Sequence, residues 1–422
     1  MSKVLIKSVK ISNTNSPHHG KVVDVLIANG EIKKIGKITE DVKQVIDGKG
    51  KILSKGWVDM RSWFADPGYE HKEDLESGRM VAMEGGFTQV AVMPNNKPTT
   101  QTKNAVSYIK SGNQDALTQL LPLAAVSLET KGEELTEMID LHTAGAIAFT
   151  DGIKPIWHSD ILLKSLQYVQ KFDGLVIDRP EDLHLNMFGV MNEGVNSTML
   201  GMKGMPNLAE DLTVERNLSI LEYAGGRLHM TCMSSEKSLN MIKAAKKKGM
   251  KVTCDIASYQ PLLDDSELAT FDSSFKVNPP LRTKEDNKAI IKALQDNTID
   301  VIVSNHIPHD EECKKLEFDL ADFGIIGLQT VAANLSSLSE KVDMDILIEK
   351  VTTNPRTLLK LENSPIEEGA VADLTLFDPN YEWTFNSKTN NSRSENSPFW
   401  KKTIKGKAVA VFNNGQSHIS KI

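Results

Sequence analysis

The stretch GWVDMRSWFADPG (residues 56–68) opens with a short apolar run, WVDM (57–60), turns polar at Arg61, and closes on a Pro-Gly turn at Pro67-Gly68. The same unit, a short apolar buried-type strand, recurs along the chain. It is found in TQVAVM (88–93), QLLPLAAV (119–126), AIAFT (146–150), GLVID (174–178), RLHMT (227–231), KVTCDI (251–256) and DVIVS (300–304). Helical segments fall between most of these runs, for example EDLESGRMVAME (73–84), EKSLNMIKAAKKK (236–248) and KEDNKAIIKALQ (284–295). Apolar strands alternating with helices mean a parallel sheet covered on both faces. Eight such units predict a (β/α)8 TIM barrel.

Six polar residues come directly after these strands: Arg61, Asn95, Asp151, Arg179, Cys232 and Asn305. Strand ends converge on one face of a barrel, where active sites are built, so these six are expected in one pocket.

Outward from the barrel, the first 50 residues alternate short β-rich runs with turns. Asn29-Gly30, between VLIA and EIKKIG, is a hairpin signal. The tail repeats this texture in VADLTLFD and KTIKGKAVAVFNNG. Both ends are expected to form one small β-sandwich domain, 1–55 with 365–422, beside a barrel over 56–364.

The chain has 422 residues, a net charge of −7 and 25% charged residues. That suits a large domain plus a smaller one and lacks the basic footprint of a nucleic-acid binder. No apolar run reaches the length of a membrane span, and MSKVLIKSVKISN has no signal-peptide pattern. Cys232, Cys254 and Cys313 are widely spaced and read as reduced thiols, so a cytoplasmic location is expected.

The motifs resemble a dihydroorotase of the amidohydrolase superfamily, of the type associated with aspartate carbamoyltransferase. The likeness is carried by DPGYEHKEDLESG (66–78), GGFTQVAVMPNNKP (85–98), GAIAFTDG (145–152), MNEGVNSTMLGMKGMPNLAED (191–211), FKVNPPLR (275–282), NHIPH (305–309), FGIIGLQT (323–330), NPRTLLKL (354–361) and GAVADLTLFDP (369–379). The resemblance implies reversible closure of carbamoyl aspartate to dihydroorotate in pyrimidine biosynthesis. It also implies a zinc centre that activates water, and a final aspartate acting as base.

The family's first strand carries Asp-x-His-x-His-x-Arg-(Glu/Asp)-Pro-Gly. Here Arg61 and Trp63 stand at the histidine positions and Ala65 at the arginine. By the same resemblance Asp151 keeps a strand-four carboxylate, Arg179 and Cys232 replace histidines, and Asn305 replaces the base. One family ligand of six remains. Catalytic zinc takes about three protein ligands, and arginine stays protonated. No metal is therefore expected, and Arg61 or Arg179 is expected to pair with Asp151 in its place.

The resemblance leaves Asn95, Asn278 and His309 as substrate-binding candidates, each readable equally as a structural loop residue. His229 is expected to be a hydrogen-bonded interior histidine, Cys232 a core filler and His306 a packed side chain. His71 lies in a family motif without an assigned role, and His18-His19 read as an exposed turn. Three functions stay open. The first is a catalytically silent dihydroorotase-like protein that braces or regulates aspartate carbamoyltransferase. The second is an active dihydroorotase or other cyclic-amide amidohydrolase with an unusual zinc site, or one built on Asp151, Cys232, His306 and His309. The third is a small-molecule sensor. A homo-oligomer is compatible with all three.

Overall fold

The computed structural model describes residues 3–420. The N-terminal segment supplies β1 (Val4–Ile11), β2 (Val22–Ala28), β3 (Glu31–Gly36), β4 (Gln44–Asp47) and β5 (Ile52–Lys55). Asn29 and Gly30 both take left-handed backbone, φ 53° and 77°, and so turn β2 tightly into β3.

The barrel strands come next: β6 (Trp57–Ser62), β7 (Phe87–Val92), β8 (Gln119–Ala124), β9 (Ala148–Phe149) and β10 (Val176–Asp178). A two-stranded ribbon, β11 (Met191–Asn192) with β12 (Gly204–Met205), interrupts the series. Then come β13 (Leu228–Met230), β14 (Val252–Ala257) and β15 (Val301–Val303). All eight strands expected from the sequence are present, paired in parallel in the order β6 to β10 and β13 to β15. The three quoted helices form at Leu75–Glu84, Glu236–Lys247 and Lys284–Gln295. Asp74 and Thr283 cap two of them, accepting from the backbone N–H three residues on.

Side chains alternate between two cores, as a strand period of two requires. Val90, Val176, Leu228, Cys254 and Ile302 face the helices. Ala91, Ile177, Ala257, Val301 and Val303 face the barrel interior. The barrel closes where β6 meets the chain after β15. Trp63 N–H donates to the His306 carbonyl (2.9 Å), and the buried Asp59 carboxylate accepts from Ser304 N (2.7 Å), Ser304 Oγ (2.7 Å) and Ser62 Oγ (2.6 Å). A carboxylate thus completes a seam that backbone pairing leaves open. Burial pushes the Asp59 carboxyl up to about 6.

The C-terminal strands β16 (Leu374–Thr384), β17 (Thr403–Asn413) and β18 (Gln416–Ile419) join β1–β5 in a second eight-stranded sheet, with β16 antiparallel to β5. Side chains from both ends of the chain, among them Ile6, Val25, Leu53, Leu376 and Phe412, share its core. Among the described residues no helix is long and apolar enough to cross a membrane.

Arg356, in NPRTLLKL, fastens this sheet to the barrel. Its buried guanidinium donates to the Gly56 carbonyl (2.8 Å), to Gln89 Oε1 (3.1 Å) and to Asp373 Oδ2 (2.7 Å). Breaking a buried pair from one side leaves the other group unpaired. Arg356→Met is expected to cost about 3 kcal/mol, read as a lower denaturant midpoint in equilibrium unfolding. An unchanged midpoint would remove Arg356 as the fastening.

Candidate active site

The residues expected at one pocket do meet at the C-terminal mouth of the barrel. A bulge aims the first of them. Asp59 pairs with Val90 but Ser62 pairs with Val92, so β6 carries one extra residue between them. That extra residue reverses the facing of the side chains beyond it, a common device beside functional sites. Arg61 points along the axis, buried at 3% exposure. Its Nε donates to Asn305 Oδ1 (2.9 Å), and both terminal nitrogens donate to the Gly152 carbonyl (3.2 Å each).

Arg179, continuing the inward face of β10, does the same to the next peptide. Its Nε (3.0 Å) and Nη2 (2.8 Å) both donate to the Ile153 carbonyl. Nη1 donates to Asn278 Oδ1 (3.1 Å), and Nη2 pairs with Glu181 at 2.5 Å. The expected ion pair with Asp151 is not made. Asp151 turns away from the axis and accepts from Ser127 N (2.9 Å) and Ser127 Oγ (2.5 Å). The arginines take the carbonyls of Gly152 and Ile153 instead. A guanidinium presents five donors and no acceptor, so inward carbonyl oxygens satisfy it as a carboxylate does. Glu181, the true partner of Arg179, is not among the residues expected at the mouth. An Arg and a Glu two apart in RPED are the signal that could have found it.

Asn95 locks the same loop: its Nδ2 donates to the Asp151 carbonyl (3.0 Å) and its Oδ1 accepts from Ile153 N (2.9 Å). Gly152 allows this approach, since a Cβ there would lie 2.0 Å from Asn95 Oδ1. Asn278 joins Arg179 to Glu181, with Nδ2 3.3 Å from each Glu181 oxygen. His309 lies at the rim, where Nε2 faces the Phe323 carbonyl (3.0 Å) and Nδ1 faces Lys72 Nζ (3.1 Å). Burial, with Lys72 alongside, pulls its pKa down to about 4. All three substrate-binding candidates thus spend their polar atoms on the protein itself.

Trp63 turns from the axis to the rim, with Nε1 on Asn96 Oδ1 (3.0 Å) and its ring beside Tyr69 and His309. Ala65 is fully buried. Cys232 and Asn305 sit in left-handed backbone, φ 58° and 47°. Burial pushes the Cys232 thiol up to about 12, so it is protonated at neutral pH. Asn305 Nδ2 donates to the hydroxyl of the buried Tyr259 (2.9 Å). His229 is an interior histidine, held by Thr253 Oγ1 (2.8 Å) and Asp255 Oδ2 (2.9 Å). His306 accepts from Gly327 N (3.1 Å) and packs on Phe64. His71 is exposed and faces Asp310 (3.1 Å). His18 and His19 are half-buried rather than exposed, because Asn13 N–H donates to His19 Nδ1 (3.2 Å).

As a donor set, Arg61, Trp63, Asp151, Arg179, Cys232 and Asn305 do not fit a metal ion. Two are permanent cations, one is an indole turned aside and one is a protonated thiol. The amide oxygen is taken by Arg61 and the carboxylate by Ser127. This geometry supports no catalytic step through a metal at these positions. Asp151, Cys232, His306 and His309 each bond to a different partner: Ser127, Asp255, Gly327 and Phe323.

Burial raises the Asp151 carboxyl from 3.8 to about 6. The folded state therefore holds an extra proton between those values. Its contribution is fully present below about pH 4 and is lost as pH rises through 6, worth roughly 3 kcal/mol. Asp151→Asn should flatten the fall in stability between pH 4 and 6, leaving the part due to the other carboxyls that burial raises, Asp59, Asp178 and Glu210. A slope unchanged in chemical denaturation across that window would refute the assignment.

A family model described as dihydro-orotase-like matches residues 50–238. A dihydroorotase of Acetivibrio thermocellus is 38% identical over 417 residues, covering 98% of this chain and 98% of its own. One of Syntrophus aciditrophicus is 37% identical over 421 residues, with the same coverage of both. Among solved structures, an L-hydantoinase (dihydropyrimidinase) from Arthrobacter aurescens superimposes with a TM-score of 0.86 at 20% identity, covering 100% of this chain and 97% of its own. A dihydropyrimidinase from Brevibacillus agri gives 0.81 at 19%, covering 99% and 95%. These two likenesses speak to the fold.

Proposed function

The chain belongs to the dihydroorotase family, and on that premise we propose that it is a catalytically silent member that serves pyrimidine biosynthesis as a structural or regulatory partner of aspartate carbamoyltransferase. One observation carries the silence. The Arg61 guanidinium lies across the barrel axis, bound to the Gly152 carbonyl and to Asn305. Those groups lie just past β9 and β15, where the family relationship puts a metal ligand and the catalytic base. Water activation needs a Lewis acid and a proton acceptor. An arginine supplies neither, and an amide at position 305 cannot take the proton.

A partner role draws support from the loops after β9 and β10. Phe188 and Met199 are about four-fifths exposed, with Val195, Leu183, Met187 and Leu212 also open to solvent. Trp157, Leu183 and Leu212, together with the charged Glu181, Asp182 and Arg216, line a cavity of about 320 Å³ there. Apolar side chains gathered on one surface mark interaction sites in soluble proteins.

The purified protein is expected to show no dihydroorotase turnover in either direction with zinc in excess, and to co-purify with aspartate carbamoyltransferase from the same source. Phe188→Asp with Met199→Asp should abolish that association and leave the thermal midpoint unchanged. Zinc-dependent turnover that Cys313→Ser leaves intact would refute the silent reading. An association that survives the double substitution would remove this surface from the proposal.

A further inference from the structure

Lys72 is enclosed by side chains that are also metal-ligand types. In EHKED it reads as a surface charge, yet it is 8% exposed. Its ammonium lies 3.1 Å from His309 Nδ1, 3.1 Å from Cys313 Sγ and 3.8 Å from Asp322 Oδ2, with the Trp63 ring 5.8 Å away. The donor atoms of His309, Cys313 and Asp322 all lie within 4.8 Å of one another. A nitrogen, a sulfur and a carboxylate oxygen around one cation are the ligands of zinc.

We propose that His309, Cys313 and Asp322 form a divalent-metal site of zinc type at the barrel rim, and that the Lys72 ammonium is its stand-in when the metal is absent. His309 Nδ1 and Asp322 Oδ2 are 3.5 Å apart. Bonds of 2.0–2.3 Å in tetrahedral geometry set ligand atoms roughly 3.5 Å apart, so that edge is already formed. The Phe323 carbonyl, 3.0 Å from His309 Nε2, takes the proton of that nitrogen and leaves Nδ1 free to coordinate. Metal-bound histidines are commonly held in this way. Asp322 is half-exposed, and His309 also lines an open cavity of about 580 Å³, so an ion has a path in and a fourth position for water. On binding, the Cys313 thiol gives up its proton and the Lys72 ammonium swings out to solvent, where its long side chain can reach. The site shares no residue with the six positions along the barrel axis, so it stands whether or not the silent reading does.

Cobalt(II), titrated into the full chain under reducing conditions, reads the site directly through its thiolate-to-metal charge-transfer absorption. The wild type is expected to bind one equivalent with that band, and Lys72→Met to bind about tenfold more tightly. Cys313→Ser should lose the band, and Asp322→Asn should weaken binding by about tenfold. Circular dichroism checks that Lys72→Met is folded. Should it not be, the wild type against Cys313→Ser is sufficient, because Cys313 is only partly buried. No thiolate band in the wild type or in a folded Lys72→Met, or a band that survives Cys313→Ser, overturns the proposal.

Discussion

A guanidinium buried on the axis of a barrel must be satisfied on every side, and the mouth of this molecule is organised around that requirement. Arg61 is almost fully enclosed, and its neighbours offer it carbonyl and amide oxygen. Leaving such a group without partners costs several kcal/mol, so the loop after β9 must present its peptides inward. Arg179 imposes the same demand one residue further along. Asn95 then fixes the loop from below, and Gly152 is needed because no side chain fits beside it. Five strand ends, those of β6, β7, β9, β10 and β15, are thereby tied together across the mouth. Coordination to a metal ion would tie strand ends in a comparable way; here directional hydrogen bonds from two cations do so.

The carboxylates nearby obey a different logic. Asp59 and Asp151 are buried without a cation against them, and burial raises both. Hydroxyls and backbone N–H groups offset part of that cost. Each carboxylate thereby closes a structural joint, Asp59 the seam between the first and last strands and Asp151 the loop at Ser127. Arg179 and Glu181 meet their charge balance pairwise.

Much of this was legible in the sequence because strand period and strand ends are local properties. Eight apolar runs gave eight strands, and Asn29-Gly30 gave the hairpin, because each reports its own backbone. The convergence of Arg61, Asn95, Asp151, Arg179 and Asn305 came from topology. Their partners did not. Charge complementarity suggested arginine on Asp151, but the direction of that carboxylate is set by the Ser127 hydroxyl, 24 residues away. Backbone carbonyls carry no signature in a sequence, so the actual acceptors of both arginines were invisible. Lys72 was hidden for the opposite reason: a lysine between histidine and glutamate looks solvated, and only the folded rim encloses it.

Cys232 keeps a left-handed backbone that residues with a β-carbon adopt at a cost of about 1–2 kcal/mol, and Asn305 keeps one that asparagine adopts more readily. Such strain is usually sustained where chemistry requires an unusual side-chain direction. Here the Cys232 thiol is protonated and the Asn305 amide serves a structural hydrogen bond. At position 305 that shape aims the amide between Arg61 and Tyr259. At the end of β15 the bent backbone thus serves to brace a buried guanidinium.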